Sequence, residues 1–231
     1  MPIFLDDLVE NFYEPVGDRF RETYERGQLF WTHIGYARED LQLWRPSGLD
    51  VSQTSANHFM IEQAGADAFS RSLPLYMPRL EIREEFVVVR AKKRPVILVS
   101  PLPPDPGISP LRKGGKIYRS LCVVAPVYSF VNRDTEQVKY PQSFIDQVRM
   151  LTYPEFLFLP KVSGVLRCDS YARLSEIQAV YQPHLEPCNL RLREAVRLIL
   201  EGQMQFLISG SYGGEFQLCR EQLLNQEEQP S

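Results

Sequence analysis

The sequence is short of the residues that build metal and disulfide chemistry. Its 231 residues include three His and four Cys. Cys122, Cys168, Cys188 and Cys219 stand apart with no C-x-x-C pair, and His33, His58 and His184 are equally scattered, so no zinc-ligand spacing is present. The expectation is no metal and no cofactor. Cys122 and Cys168 lie in apolar runs, where a buried free thiol is the ordinary state. A long apolar stretch is lacking too. The opening Met1-Pro2-Ile3-Phe4-Leu5-Asp6-Asp7 has no basic start and no hydrophobic run, which argues against a signal peptide and a membrane span. A cytoplasmic, reduced protein with no membrane partner is expected. Nor is there an excess of positive charge. A net charge of −3 and a pI near 5.7 exclude a general polyanion coat, for which a pI above about 9 is usual. A local basic patch remains compatible. Internal repeats and low-complexity domains are absent as well.

What is present is ordinary globular composition, with 44% hydrophobic and 24% charged residues, enough to bury a core. Leu5, Leu8, Val9 and Phe12 recur at helical spacing, so residues 3–25 read as helical, broken at Pro15 and Gly17. Gln28–Ile34, Phe86–Arg90, Arg94–Ser100, Leu121–Val127 and Phe156–Leu159 are rich in β-branched and aromatic residues and read as strands. Phe59–Phe69 reads as a short helix, and Pro101–Pro110, with five prolines, as loop. The clearest helix is 190–208, where Leu192, Ala195, Val196, Ile199, Gln203 and Phe206 form one stripe that Gly210 ends. Beyond Gly213 the chain is polar and acidic and reads as a frayed tail. Strands with irregular connections and no βαβ alternation imply an α+β, mainly β chain: an antiparallel barrel with peripheral helices.

Two groups of residues carry chemistry. In Gly164-Val165-Leu166-Arg167-Cys168-Asp169 the run reads as a strand, which would set Arg167 and Asp169 on one face. A guanidinium suited to phosphate then stands beside a carboxylate suited to proton transfer. Arg112–Arg119 carries four positive charges and no negative one, with Tyr118 among them. Together with Arg90, Lys92, Lys93 and Arg94 it offers the cationic and aromatic mixture that single-stranded RNA prefers.

Four segments, in order, resemble the PemK/MazF (Kid-like) toxins of toxin–antitoxin modules. Glu25-Arg26-Gly27-Gln28-Leu29-Phe30-Trp31 is similar to the family's first strand, Arg94–Ser100 to its Arg-Pro-Val strand, Val123–Ser129 to its Val-Pro-Val-Thr-Ser segment, and Gly164–Asp169 to its Gly-Val-Ile-Arg-Cys-Asp signature. The 190–208 helix occupies the place of the family's C-terminal helix. The resemblance implies an SH3-like barrel over residues 25–210, with 1–24 a helical extension, 35–90 an insertion and 211–231 a polar tail. It also implies a homodimer, a small antitoxin protein as partner, and metal-independent cleavage of single-stranded RNA. By position Arg167 meets the phosphate, Asp169 is the base, and Arg94 is a further catalytic cation. Substrate contacts fall on Ser129, Tyr128 and Gln28, with Lys93, Arg112 and Lys113 from the basic segments. Three departures stand out. Gln28 replaces an acidic residue, Tyr128 replaces a Thr, and the long insertion separates the first two strands. Within the insertion, Glu62-Gln63-Ala64-Gly65 reproduces a loop tetrapeptide of MazF-type members, with His58 nearby as a further acid. Two rival functions carry over from the same segments: a non-catalytic barrel that binds RNA or protein, and a gyrase-poison-like inhibitor, since CcdB shares the barrel.

Overall fold

The apolar runs at 28–34, 94–100, 121–127 and 156–159 all become strands of one sheet. The structure, a computed structural model, describes residues 2–36, 40–46, 59–65, 80, 83–101, 121–132 and 134–225. In chain order the elements are α1 (Leu5–Leu8), β1 (Tyr13–Glu14), β2 (Gln28–Gly35), β3 (Gln42–Pro46), β4 (Phe59–Gln63), β5 (Val87–Val88), β6 (Ala91–Ser100), β7 (Leu121–Ser129), α2 (Gln142–Arg149), β8 (Phe156–Leu159), β9 (Ser170–Arg173), β10 (Gln178–Tyr181), β11 (Glu186–Leu192), α3 (Glu194–Ser209) and α4 (Gly214–Leu224). Two units form, Met1–Ile34 with Lys93–Ser231, and Gly35–Lys92.

The larger unit is a curled antiparallel half-barrel. Its strand order is β1-β11-β2-β6-β7-β9-β8, with β10 also on β7. The two outer strands approach each other. Phe12, next to β1, meets Phe158 of β8 edge-on at 6.0 Å, and the Tyr13 hydroxyl donates to the Pro160 carbonyl at 2.9 Å. Burial, and secondarily the charge of Asp169, push the Tyr13 phenol far up. The inner face carries Leu29, Ile97, Ala125, Val127, Leu157 and Ala172, all buried, and α3 covers them with Val196, Ile199 and Leu200. Gly210 ends α3 in the left-handed conformation, φ 72°. At Gly202 a Cβ would lie 2.5 Å from the Phe216 Cβ, so the glycine is what lets α4 close on α3.

The smaller unit is a three-stranded sheet in the order β4-β3-β5. Trp44 stacks on Phe59 with centroids 3.9 Å apart and meets Phe86 at 5.6 Å. On the opposite face Arg45 pairs with Glu62 at 2.9 Å and Glu85 at 2.8 Å, and the Glu85 side chain is 0% exposed. The Glu85 hydrogen bond raises the Arg45 pKa further above its ordinary value.

Several sequence expectations are overturned. The helical reading of 3–25 survives only as Leu5–Leu8. Val9 is already extended, and Tyr13 and Glu14 pair with Leu192 and Arg191, because burying Phe12 and joining the ladder outweighs a short helix that is marginal alone. Phe59–Gln63 is a strand, not a helix, held by five partners on β3. Residues 91–93, outside the expected strands 86–90 and 94–100, extend β6, and Leu190–Leu192 end β11 before α3 begins. The acidic tail contains α4, whose Phe216 and Leu223 are fully buried. Phe216, Cys219 and Leu223 share one face, but they are interleaved with charged and amide residues, so the segment reads as polar in sequence.

Candidate functional site

Three neighbouring strands bring the separated segments together. On β6 and β7, Val96 faces Pro126 and Ile97 faces Ala125. Carried along the strands, that register sets Arg94 opposite Tyr128 on one face of the sheet. The Arg94 guanidinium lies 4.6 Å from the centre of the Tyr128 ring, a cation–π contact. Across β7 and β9, Tyr128 faces Tyr171 and Ser129 faces Ser170. The Tyr128 and Tyr171 rings stack at 5.8 Å, and the buried Tyr171 hydroxyl meets that of Tyr140 at 2.8 Å.

Beyond β9 the chain makes one tight turn, Leu174–Glu176, which brings Glu176 back to the same face. The Tyr128 hydroxyl donates to Glu176 Oε2 at 2.6 Å, and Arg173 holds the other oxygen at 3.2 Å. The Glu176 side chain is 13% exposed. Burial first, then the hydrogen bond and charge of Glu176, push the Tyr128 phenol up to about 12, against the opposing pull of Arg94 and Arg173. The cluster is therefore one carboxylate held by Arg173 and by a neutral phenol whose ring carries the Arg94 guanidinium. The Nε of Arg173 is buried with no hydrogen-bond partner among the described residues.

The expected Arg167–Asp169 pair has a different geometry from the one its spacing suggested. Residues 163–165 form a turn closed by the Val162–Leu166 bridge, and 167–168 form a bend, so the same-face argument for a strand does not apply. Gly164 sits in that turn at φ 84°, which local periodicity does not register. Arg167 is exposed on the bend. Asp169 is exposed too, and its Oδ1 accepts the Lys161 N–H at 2.8 Å, while its carbonyl accepts the Phe130 N–H at 3.1 Å. The carboxylate is thereby oriented at the start of β9.

The other named positions divide. Ser129 points to the face opposite Tyr128, as adjacent strand residues must. Its hydroxyl donates to the Val131 carbonyl at 2.6 Å and lies 2.9 Å from the Cys168 sulfur, so its one proton serves the turn after β7. Gln28 is 0% exposed, and its amide bonds the Phe20 carbonyl at 3.1 Å. It is a core residue and presents nothing to a substrate. Lys93 pairs with Glu186 at 2.6 Å on the surface. Glu62 belongs to the Arg45 ion pair of the smaller unit. Arg112, Lys113 and His58 lie outside the described residues. Sequence reasoning assigned no role to Glu176, Arg173 or Tyr171. A glutamate in a short turn gives no periodic signal, and only the backward turn at 174–176 makes it a neighbour of Tyr128. Compared with known proteins, the chain matches no family model and no curated relative.

Proposed function

We propose that the chain is an SH3-like barrel of the PemK/MazF kind that cleaves single-stranded RNA by attack of a ribose 2′-hydroxyl, with no metal ion required. The observation that carries the proposal is the adjacency of β6, β7 and β9. The segments around 94 and 128, matched independently by resemblance, lie on β6 and β7, and the matched 167–169 bend leads directly into β9. Asp169 takes the 2′-hydroxyl proton, the 2′ oxygen bonds to phosphorus, and the bond to the 5′ oxygen breaks. The leaving oxygen takes a proton from the Arg167 guanidinium, which recovers one from the protonated Asp169 by way of water. The products are a 2′,3′-cyclic phosphate and a 5′-hydroxyl. Arg94 and Arg167 offset the charge that develops on the phosphate oxygens. A second copy of the chain and a small antitoxin protein are the expected partners.

A non-catalytic RNA-binding barrel is the second reading, favoured by Gln28, whose buried amide has replaced a carboxylate. The two separate in one experiment. The purified chain, Arg167→Ala and Asp169→Asn are incubated with end-labelled RNA of mixed sequence in EDTA. Cleavage with a cyclic-phosphate end, reduced about 100-fold in each variant, supports the enzyme. RNA binding without any cleavage supports the second reading, and absence of both overturns the two together.

A further inference from the structure

Given the endoribonuclease proposal, we infer that Tyr128 and Glu176 form a ribose reader, which accepts a hydrogen bond from a 2′-hydroxyl of the bound strand and thereby selects RNA over DNA. A phenol has one proton, and that of Tyr128 is given to Glu176 at 2.6 Å. What Tyr128 Oη then offers a ligand is lone pairs only. Phosphate oxygens and carbonyl edges are acceptors and find no partner there. A sugar hydroxyl is a donor, and the 2′-hydroxyl is the donor that DNA lacks.

The surroundings hold this polarity. Arg173 holds the other carboxylate oxygen at 3.2 Å, which leaves Oε2 turned to the Tyr128 hydroxyl as its acceptor, and Arg94 lies over the ring at 4.6 Å. Stacking on Tyr171 and the overlying Arg94 fix the ring plane, and with it the direction of the lone pairs. Arg94 also supplies a cation beside the reader, where the phosphate attached to the same ribose would lie. Glu176 itself is mostly covered, so it acts through Tyr128 as a positioning residue. The reader occupies the face of the sheet opposite the Ser129 hydroxyl and is distinct from Asp169, which takes the proton of the attacking hydroxyl.

The test uses the full chain carrying Asp169→Asn to suppress cleavage. Affinities are measured for one RNA oligonucleotide, its all-deoxy counterpart and its 2′-O-methyl counterpart. The methyl ether keeps the oxygen but has no proton to donate. RNA is expected to bind on the order of tenfold tighter than both analogues. Tyr128→Phe, which keeps the ring beneath Arg94, brings the three affinities together. Glu176→Gln narrows the gap without removing the ring contact. Melting curves confirm that both variants are folded. If Tyr128→Phe is folded and still prefers RNA to the same degree, the reader is refuted while cleavage by the unmodified chain leaves the enzyme proposal standing. If the 2′-O-methyl strand binds as tightly as RNA, donor recognition is refuted. If the unmodified chain neither binds nor cleaves RNA, the enzyme proposal and the reader fall together.

Discussion

Gln28→Glu distinguishes a catalytic position that has lost its carboxylate from a core position that never presents one. Gln28 is fully buried. Its Oε1 accepts the Glu25 N–H at 3.3 Å, and its Nε2 donates to the Phe20 carbonyl at 3.1 Å and weakly to the Cys188 carbonyl at 3.5 Å. A glutamate keeps the first contact and reverses the other two, setting a carboxylate oxygen against two carbonyls. Losing the Phe20 bond costs about 1–2 kcal/mol, and burying an unpaired carboxylate adds several more. A total near 3–5 kcal/mol is a large part of the roughly 5–15 kcal/mol that holds an ordinary domain together. The penalty has a sign in pH. Burial raises the pKa of the new carboxyl, so the cost is full above that folded-state value. It shrinks as pH falls below it, because a protonated glutamate regains one donor for Phe20. Guanidinium unfolding of both proteins at pH 7.5 and pH 5 measures this. Stability within about 0.5 kcal/mol of the parent at pH 7.5 would refute the core assignment. A simultaneous gain in RNA cleavage would place position 28 in the active site.

Three further perturbations probe the frame around the site. Gly202→Ala puts a Cβ 2.5 Å from the Phe216 Cβ and 3.1 Å from the Gly213 carbonyl, so α4 must shift at a cost of about 2–3 kcal/mol. A lower melting temperature and faster proteolysis after Gly210 are expected, and an unchanged digest would contradict the packing. Arg45→Met leaves Glu85 covered and without its strongest partner, costing about 3–5 kcal/mol within the smaller unit. Hydrogen exchange should accelerate in 42–45 and 87–88, and retained protection there would argue against the ion pair. Burial, with Glu186 second, pushes the Cys188 thiol from 9.0 to about 11, so its contribution is complete below pH 9 and is lost as pH rises towards 11. Solvent screening at a partly covered site reduces the roughly 2.7 kcal/mol that this rise implies to about 1–2 kcal/mol, and Cys188→Ala should flatten the alkaline fall in stability; parallel curves would exclude the thiol as its source.

The fold was legible where one element buries one continuous apolar face. β2, β6, β7 and β8 announce themselves through runs such as Val96–Val99, and α3 through Val196, Ile199 and Gln203. Elements defined by a distant partner were not legible. β1 has two residues and exists because Leu192 and Arg191 lie beside it. Arg191 also binds Glu14 at 2.7 Å and pairs with Glu25, a charge arrangement that no local pattern foretells. α4 depends on a glycine in another helix. The strand reading of 164–169 failed for a related reason. Alternating bulk suits an extended chain, but Gly164 at positive φ lets the segment fold back and close on Val162.

The candidate site divides along the same line. A motif names residues, but a ladder decides their neighbours. Arg94 and Tyr128 were nameable from sequence, and one register relation turns them into a contact. Asp169 was nameable too, yet its orientation comes from the Lys161 amide after β8, a strand hydrogen-bonded to β9. Glu176 was not nameable, because its importance depends on the phenol at 128, where the resembling family carries a Thr. A threonine there would be too short to meet a carboxylate in that turn, and it would have no ring for Arg94. The Tyr128 side chain is therefore coupled to both charges. Tyr128→Thr alone should release Arg94 and leave Glu176 with Arg173, so the cost of that single change should exceed its cost in a Glu176→Gln background. A double-mutant cycle in unfolding free energy reads this directly. Additive losses would mean that the phenol and the carboxylate are neighbours without being a functional pair.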